Sequence, residues 1–177
     1  LRHLLQPCDV LWWGYSPGTG AGRGCAPASL AEWRPGIVGL SRCAFSHAVP
    51  WNGKRGVDSI VQCCSGIVHE QSAGRDGTPQ HLPAQVLDYV TGYLGAFGVM
   101  EALRRRAVDG GSYHVRVSLV QTAHWIKRLG RIVADANALK LPDPSLEAVM
   151  ELTMETQCDF GTIRPRAPVV TLSETPP

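Results

Sequence analysis

Two short apolar runs, separated by one helix-forming stretch, constrain this chain most. Residues 9–13 (Asp9, Val10, Leu11, Trp12, Trp13) and residues 37–41 (Ile37, Val38, Gly39, Leu40, Ser41) each read as a buried strand. Between them, residues 29–33 can form a short helix, which Arg34, Pro35 and Gly36 stop. Parallel neighbours in a sheet need such a crossover, so strand, helix, strand implies an α/β fold with a parallel sheet. The 177 residues, 44% apolar and 18% charged, suffice for one domain with a packed core.

Further along, Asp58 is placed to cap a helix running to about Gly66, and residues 70–83 should form an exposed loop. Asp88 is expected to open the longest helix, to about Arg106, with Val90, Tyr93, Leu94, Phe97 and Met100 as its apolar stripe. Gly92, Gly95 and Gly98 weaken that helix by roughly 1 kcal/mol each relative to Ala, which suggests close approach of another backbone or a ligand. After the turn at Asp109, Gly110 and Gly111, residues 114–118 alternate like a strand. Ser118 and Gln121 resemble a capping box for a helix to about Leu129. Asp143 and Pro144 should start another helix, and a Pro-rich tail runs from Arg164.

Several function classes are excluded or disfavoured. A net charge of +2 gives no field for nucleic acid. The longest apolar stretch, residues 86–100, is interrupted by Asp88 and three glycines, so no membrane span is expected. Residues 1–10 carry no signal-peptide pattern. The six cysteines include no Cys-x-x-Cys pair, and the six histidines show no metal-binding spacing. Free thiols and no metal site are expected, in an intracellular protein of the cytoplasm or an organelle matrix.

Three tempting motifs fail on their mechanics. Gly14-Tyr15-Ser16-Pro17-Gly18 has the form of a hydrolase nucleophile elbow. The residue after the nucleophile must donate its N–H to the oxyanion hole, and Pro17 has none. Gly53 and Lys54 lack the earlier Gly and the following Ser or Thr of a phosphate-binding loop, for Ala48 and Arg55 stand there. The glycine-rich residues 18–24 place Arg23 where the dinucleotide pattern needs its third Gly.

Other stretches form an ordered set. Pro50, Arg55-Gly56-Val57-Asp58, Gln62 and Gly66 resemble a motif of the class III CoA-transferases, the family of formyl-CoA and carnitine CoA-transferases. Residues 82–92, with Asp88-Tyr89-Val90-Thr91-Gly92 at their end, resemble the segment that bears the family's catalytic aspartate. Residues 110–119 resemble its glycine-led strand ending in Ser118 and Leu119, and residues 172–177 resemble a further segment. Gly14, Tyr15, Pro17 and Gly18 are similar to residues near the start of the family's CoA site, although Gly14 stands where many members have Asn.

The resemblance implies a partial Rossmann-like parallel sheet with flanking helices, the central portion of the class III CoA-transferase fold. Residues 1–140 would be part of the large CoA-binding catalytic domain. Residues 141–177 would be a helix and Pro-rich linker towards a small domain that is absent, so a fragment is expected. It implies transfer of CoA from an acyl-CoA to a carboxylic acid, with coenzyme A as substrate and no permanently bound cofactor. Asp88 would be the covalent carboxylate, and Arg55, Gly14, Tyr15, Pro17 and Gly18 would contact CoA. The full-length protein would form an interlocked homodimer. Taken without the resemblance, Asp88 reads more simply as a helix cap, and Arg55 as a solvated surface charge. Two other functions stay open: an α-methylacyl-CoA racemase, which usually has His where Val57 stands, and a truncated, non-catalytic CoA-binding or interaction protein.

Overall fold

A computed structural model describes residues 2–15, 18–20, 22, 24–48, 50–72, 77–131, 144–170 and 173–174. Two compact units are present, Leu1–Arg131 and Ile132–Pro177. In the first, a short helix α1 (Arg2–Leu5) leads into β1 (Val10–Trp13), α2 (Pro27–Trp33) and β2 (Val38–Cys43). Helices α3 (Asp58–Cys64), α4 (Ile67–Gln71) and α5 (Val86–Asp109) follow, then β3 (Tyr113–Ser118) and α6 (Leu119–Arg128). The three strands form a parallel sheet in the order β1-β2-β3, with Val10 opposite Val38 and Val38 opposite Tyr113. The α/β expectation holds, as the crossover helices require. The sheet ends at β1 among the described residues, which leaves Trp12 exposed rather than buried as expected.

Strand alternation gives the sheet two distinct faces. Leu40, Val115 and Val117 lie against α5, whereas Ser41 and His114 share a 2.8 Å hydrogen bond. Helix α5 approaches the first face through its small residues. Its buried positions are Leu87, Thr91, Gly95 and Ala102. A Cβ on Gly95 would stand 3.3 Å from Leu40 Cδ2, and one on Gly98 only 2.7 Å from Val115 Cγ1. The expected apolar stripe is therefore wrong: Tyr93, Phe97 and Met100 point outward. Close contact with a sheet selects small side chains, so the large apolar ones were displaced to the other side of the helix.

That contact yields an expected contrast between neighbouring glycines. Gly92→Ala has nothing within 4 Å of the new methyl and should gain about 0.5–1 kcal/mol of stability from helix propensity. Gly98→Ala gains the same propensity but drives a methyl into a β-branched side chain with little rotamer freedom, which costs about 1–3 kcal/mol. Thermal melts should show the first variant above wild type and the second below it.

The main core cluster joins Phe45, Val61, Ile67, Leu87, Leu119 and Ala123 beneath the ends of α3, α5 and α6. A buried hydroxyl pair, Thr91 to Thr122 at 2.6 Å, ties α5 to α6. A second cluster packs Leu5, Cys25, Leu30 and Ile37 with Trp13 and Trp33. Two helix starts differ from expectation. Val57 is the cap of α3, and Asp58 is its first residue; Gln85 caps α5, which puts Asp88 inside the first turn. Helix α3 also ends at Cys64, and Gly66 at φ 83° turns the chain into α4. Ser118 Oγ accepts the N–H of Gln121, as foreseen.

The second unit holds α7 (Leu146–Met150) and an antiparallel pair, β4 (Thr156–Cys158) and β5 (Gly161–Ile163). Ser145 caps α7 through the N–H of Ala148, so Pro144 precedes the cap instead of opening the helix. Asp143 lies outside the described residues, as do Leu172 and residues 175–177. The hairpin was not expected in a segment read as a helix and Pro-rich linker; it lies just before the prolines of the tail, which begin at Pro165. Arg164 and Glu155 form an ion pair beside it. No helix among the described residues is long and apolar enough to cross a membrane.

Candidate functional site

Ligands of parallel α/β sheets bind in the crevice beyond the carboxyl ends of the strands. A cleft of about 400 Å³ lies there. Gly14 and Tyr15 enter it after β1, Arg42 from the end of β2, and Lys54, Arg55 and Gly56 from the loop before α3. No described lining residue is acidic, while three are cationic. Such a cleft suits a polyanion, and its arginines can bind phosphate or carboxylate bidentately. Lys54 also sits 4.9 Å above the Trp51 ring, which itself meets Phe45 edge-on.

Asp88 does not line the cleft directly; it reaches it through Arg42. Arg42 Nη1 donates to Asp88 Oδ1 at 2.9 Å, and both side chains are about a third exposed (36% and 37%). The same alternation that puts Leu40 against α5 puts Arg42 on that face, level with the first turn of the helix. A carboxylate in that turn also meets the positive end of the helix dipole.

The backbone under Asp88 is held by a buried carboxylate. Asp58, 1% exposed, accepts the Asp88 N–H at 2.9 Å through Oδ2. Its Oδ1 accepts from Gln62 Nε2 at 2.5 Å. Gln62 in turn donates to the Ala84 carbonyl and accepts the N–H of Leu82. Asp58 therefore caps α5, not its own helix as expected. It fills one of the orphan N–H positions that every helix start leaves open. Asp58 and Gln62 stand four residues apart on α3, so both face the entry to α5.

Gly18 lies in a different hollow of about 420 Å³, with Trp13, Gly20, Ser41 and His114. Tyr15 borders both spaces. Pro17 lies outside the described residues. The structure thus brings Gly14, Tyr15 and Arg55 together, puts Asp88 one residue behind them, and sets Gly18 apart. Burial, then the charges of Arg116 and His47, push the His114 imidazole below its usual range. Burial raises the Cys43 thiol despite the charge of Arg42. That leaves Cys43, although in the cleft, a poor nucleophile.

Sequence reading missed Arg42 and the role of the Asp58–Gln62 pair. Arg42 carried a usable signal: a charge among apolar strand residues two positions beyond Leu40. Its partner is forty-six positions away, and no local spacing names it.

Comparisons with known proteins agree with this architecture. The chain is 30% identical over 136 residues to an acetyl-coenzyme A transferase, nodX, of Hypoxylon pulicicidum, covering 72% of this chain and 22% of that protein. It is 28% identical over 119 residues to a formyl-CoA:oxalate CoA-transferase of Rhodopseudomonas palustris, covering 67% and 28%. A crystal structure of the hypothetical protein Rv3272 from Mycobacterium tuberculosis superposes with a TM-score of 0.66 at 25% identity, over 72% of this chain and 36% of that one. The chain thus spans less than a third of the length of either of these curated relatives. Residues 1–137 match the model of CoA-transferase family III, and with the ordered motifs and the three-stranded parallel sheet this establishes that the chain belongs to that family.

Proposed function

We propose that the protein carrying this chain moves CoA from an acyl-CoA to a carboxylic acid, with Asp88 as the covalent carboxylate. One observation carries the reading. The Asp88 carboxylate sits in the first turn of α5, paired to an arginine that lines a cationic cleft at the strand ends, with no acidic residue among the described lining residues. The CoA phosphates suit Arg55 and Lys54, which line the cleft together with Gly14 and Tyr15. Gly92 lies one turn beyond Asp88 on the same helix face, with open space beside it. A thioester can approach the carboxylate there.

Asp88 attacks the acyl carbon, the C–S bond breaks, and CoA thiolate leaves a mixed anhydride. The thiolate then attacks the Asp88 carbonyl carbon and releases the donor acid as carboxylate. The acceptor acid reverses both steps on the aspartyl-CoA thioester. Coenzyme A is thus a substrate, and the scheme needs no resident cofactor.

The resemblance further supports a homodimer with interlocked chains. It also supports assigning residues 1–140 to the large domain and residues 141–177 to a segment leading away from it. The outward Tyr93, Phe97 and Met100 leave apolar surface of the kind an interface covers. The racemase reading has no support at the cleft: Val57 lines it where a catalytic base would be needed.

The test is a transfer assay across a panel of acyl-CoAs and acids, using protein expressed from its natural coding sequence. Acid-dependent exchange of CoA is expected; thioester hydrolysis or C2 proton exchange without transfer contradicts the reading. Arg55→Ala should weaken CoA binding by about 1.5–3 kcal/mol, the worth of a charged hydrogen bond. Unchanged affinity by calorimetry would remove Arg55 from the site.

A further inference from the structure

The transfer scheme moves a negative charge. Before the reaction the carboxylate is Asp88; after the anhydride opens, Asp88 is a neutral thioester and the charge sits on the released acid. Arg42 cannot follow Asp88 through that change, because its partner has lost its charge. It has the means to take another. Its side chain is about a third exposed, it lines the cleft, and it binds Asp88 through Nη1 alone. Its Nε is buried and has no hydrogen-bond partner among the described residues. A buried guanidinium N–H without an acceptor costs free energy and marks an unfilled position. A second carboxylate oxygen would reach it once the fork turns from Asp88 towards the cleft, a turn that loss of the Asp88 charge permits.

We propose that Arg42 is the acid-binding residue of the site. It pairs with Asp88 while Asp88 is free, and with the carboxylate of the departing or entering acid while Asp88 is acylated or bonded to CoA. This rests on Asp88 being the nucleophile. The exchange needs no long movement: the leaving carboxylate was bonded to Asp88 a step earlier, so it is released beside the guanidinium. The planar fork of Arg suits two carboxylate oxygens in succession, which the ammonium of Lys does not. Arg42 therefore acts on the acid, not on CoA, and the arginines of the cleft divide the substrate between them.

The test uses Arg42→Gln and Arg42→Lys in protein expressed from its natural coding sequence. Loss of a charged, bidentate contact should raise KM for the acceptor acid by about ten- to a hundredfold, and weaken inhibition by the product acid to match. KM for the acyl-CoA should move far less. Arg42→Lys should recover part of the affinity for the acid. With acyl-CoA alone, mass spectrometry should still find Asp88 modified at completion in both variants. An unchanged KM for the acid with a fall only in kcat overturns the proposal and makes Arg42 a positioning residue. Should Arg42→Gln not fold, Arg42→Lys decides by the same split. Absence of any Asp88 adduct in the wild-type protein instead overturns the nucleophile assignment, independently of Arg42.

Discussion

Asp88→Asn is expected to lower CoA transfer by at least about a thousandfold, in keeping with loss of a covalent nucleophile. An amide keeps the shape and still accepts a hydrogen bond from Arg42, but it cannot form the anhydride. Stability should hardly move. The Arg42–Asp88 pair is partly exposed, and such pairs contribute about 0–1 kcal/mol. The Asp88 N–H, which Asp58 accepts, is retained by any residue except proline. Activity and folding therefore separate at this position. Near-wild-type turnover by Asp88→Asn is incompatible with the mechanism.

Asp58→Ala should do the reverse and damage both. The carboxylate is buried and holds the Asp88 N–H and the Gln62 amide at once. Its removal strands one N–H of the buried Gln62 amide and the partly buried Asp88 N–H, a cost of about 2–4 kcal/mol. It also frees the segment 82–88 that Gln62 anchors through Leu82 and Ala84. Misplacing a nucleophile by about 1 Å can cost on the order of a hundredfold in rate, so the folded fraction should be slow as well. Asp58→Asn should be milder. It can still accept from Asp88, but its amide nitrogen then faces that of Gln62, whose oxygen is held by Leu82. A thermal melt and a transfer assay on both variants should rank them wild type, Asn, Ala on each measure. Wild-type stability in Asp58→Ala would show that the buried carboxylate does not hold the entry to α5.

What the sequence made legible follows from what each pattern depends on. Strand alternation at residues 114–118 and the stop at Arg34, Pro35 and Gly36 are local; the strand forms one residue longer, over Tyr113–Ser118, and α2 ends at Trp33. The long helix was legible for the same reason. Its orientation was not, because hydrophobicity ranks Phe97 and Tyr93 above Gly95 and Gly98, while contact with Leu40 and Val115 demands the small residues. Asp58 is legible as a capping residue, but the helix it caps is not, since the N–H it accepts lies thirty positions on. The β4–β5 pair was obscured because each strand is three residues long and exposed throughout, so no burial pattern marks it, although Asp159, Phe160 and Gly161 carry a turn signal. Arg55, Gly14 and Tyr15 were found by likeness to a family, and the structure places all three in one cleft. Local rules alone left Arg55 a surface charge and Asp88 a cap.

The central claim is that the Asp88 carboxylate forms a covalent bond during transfer. Incubation of the protein expressed from its natural coding sequence with acyl-CoA, without acceptor acid, should build up acyl or CoA on the enzyme. Hydroxylamine cleavage followed by peptide mass spectrometry should then place the modified carboxyl at Asp88 and nowhere else. The hydroxamate should be absent from Asp88→Asn and disappear from wild type when acceptor acid is added. Modification of another carboxylate, or full transfer with Asp88 unmodified throughout, would contradict the account.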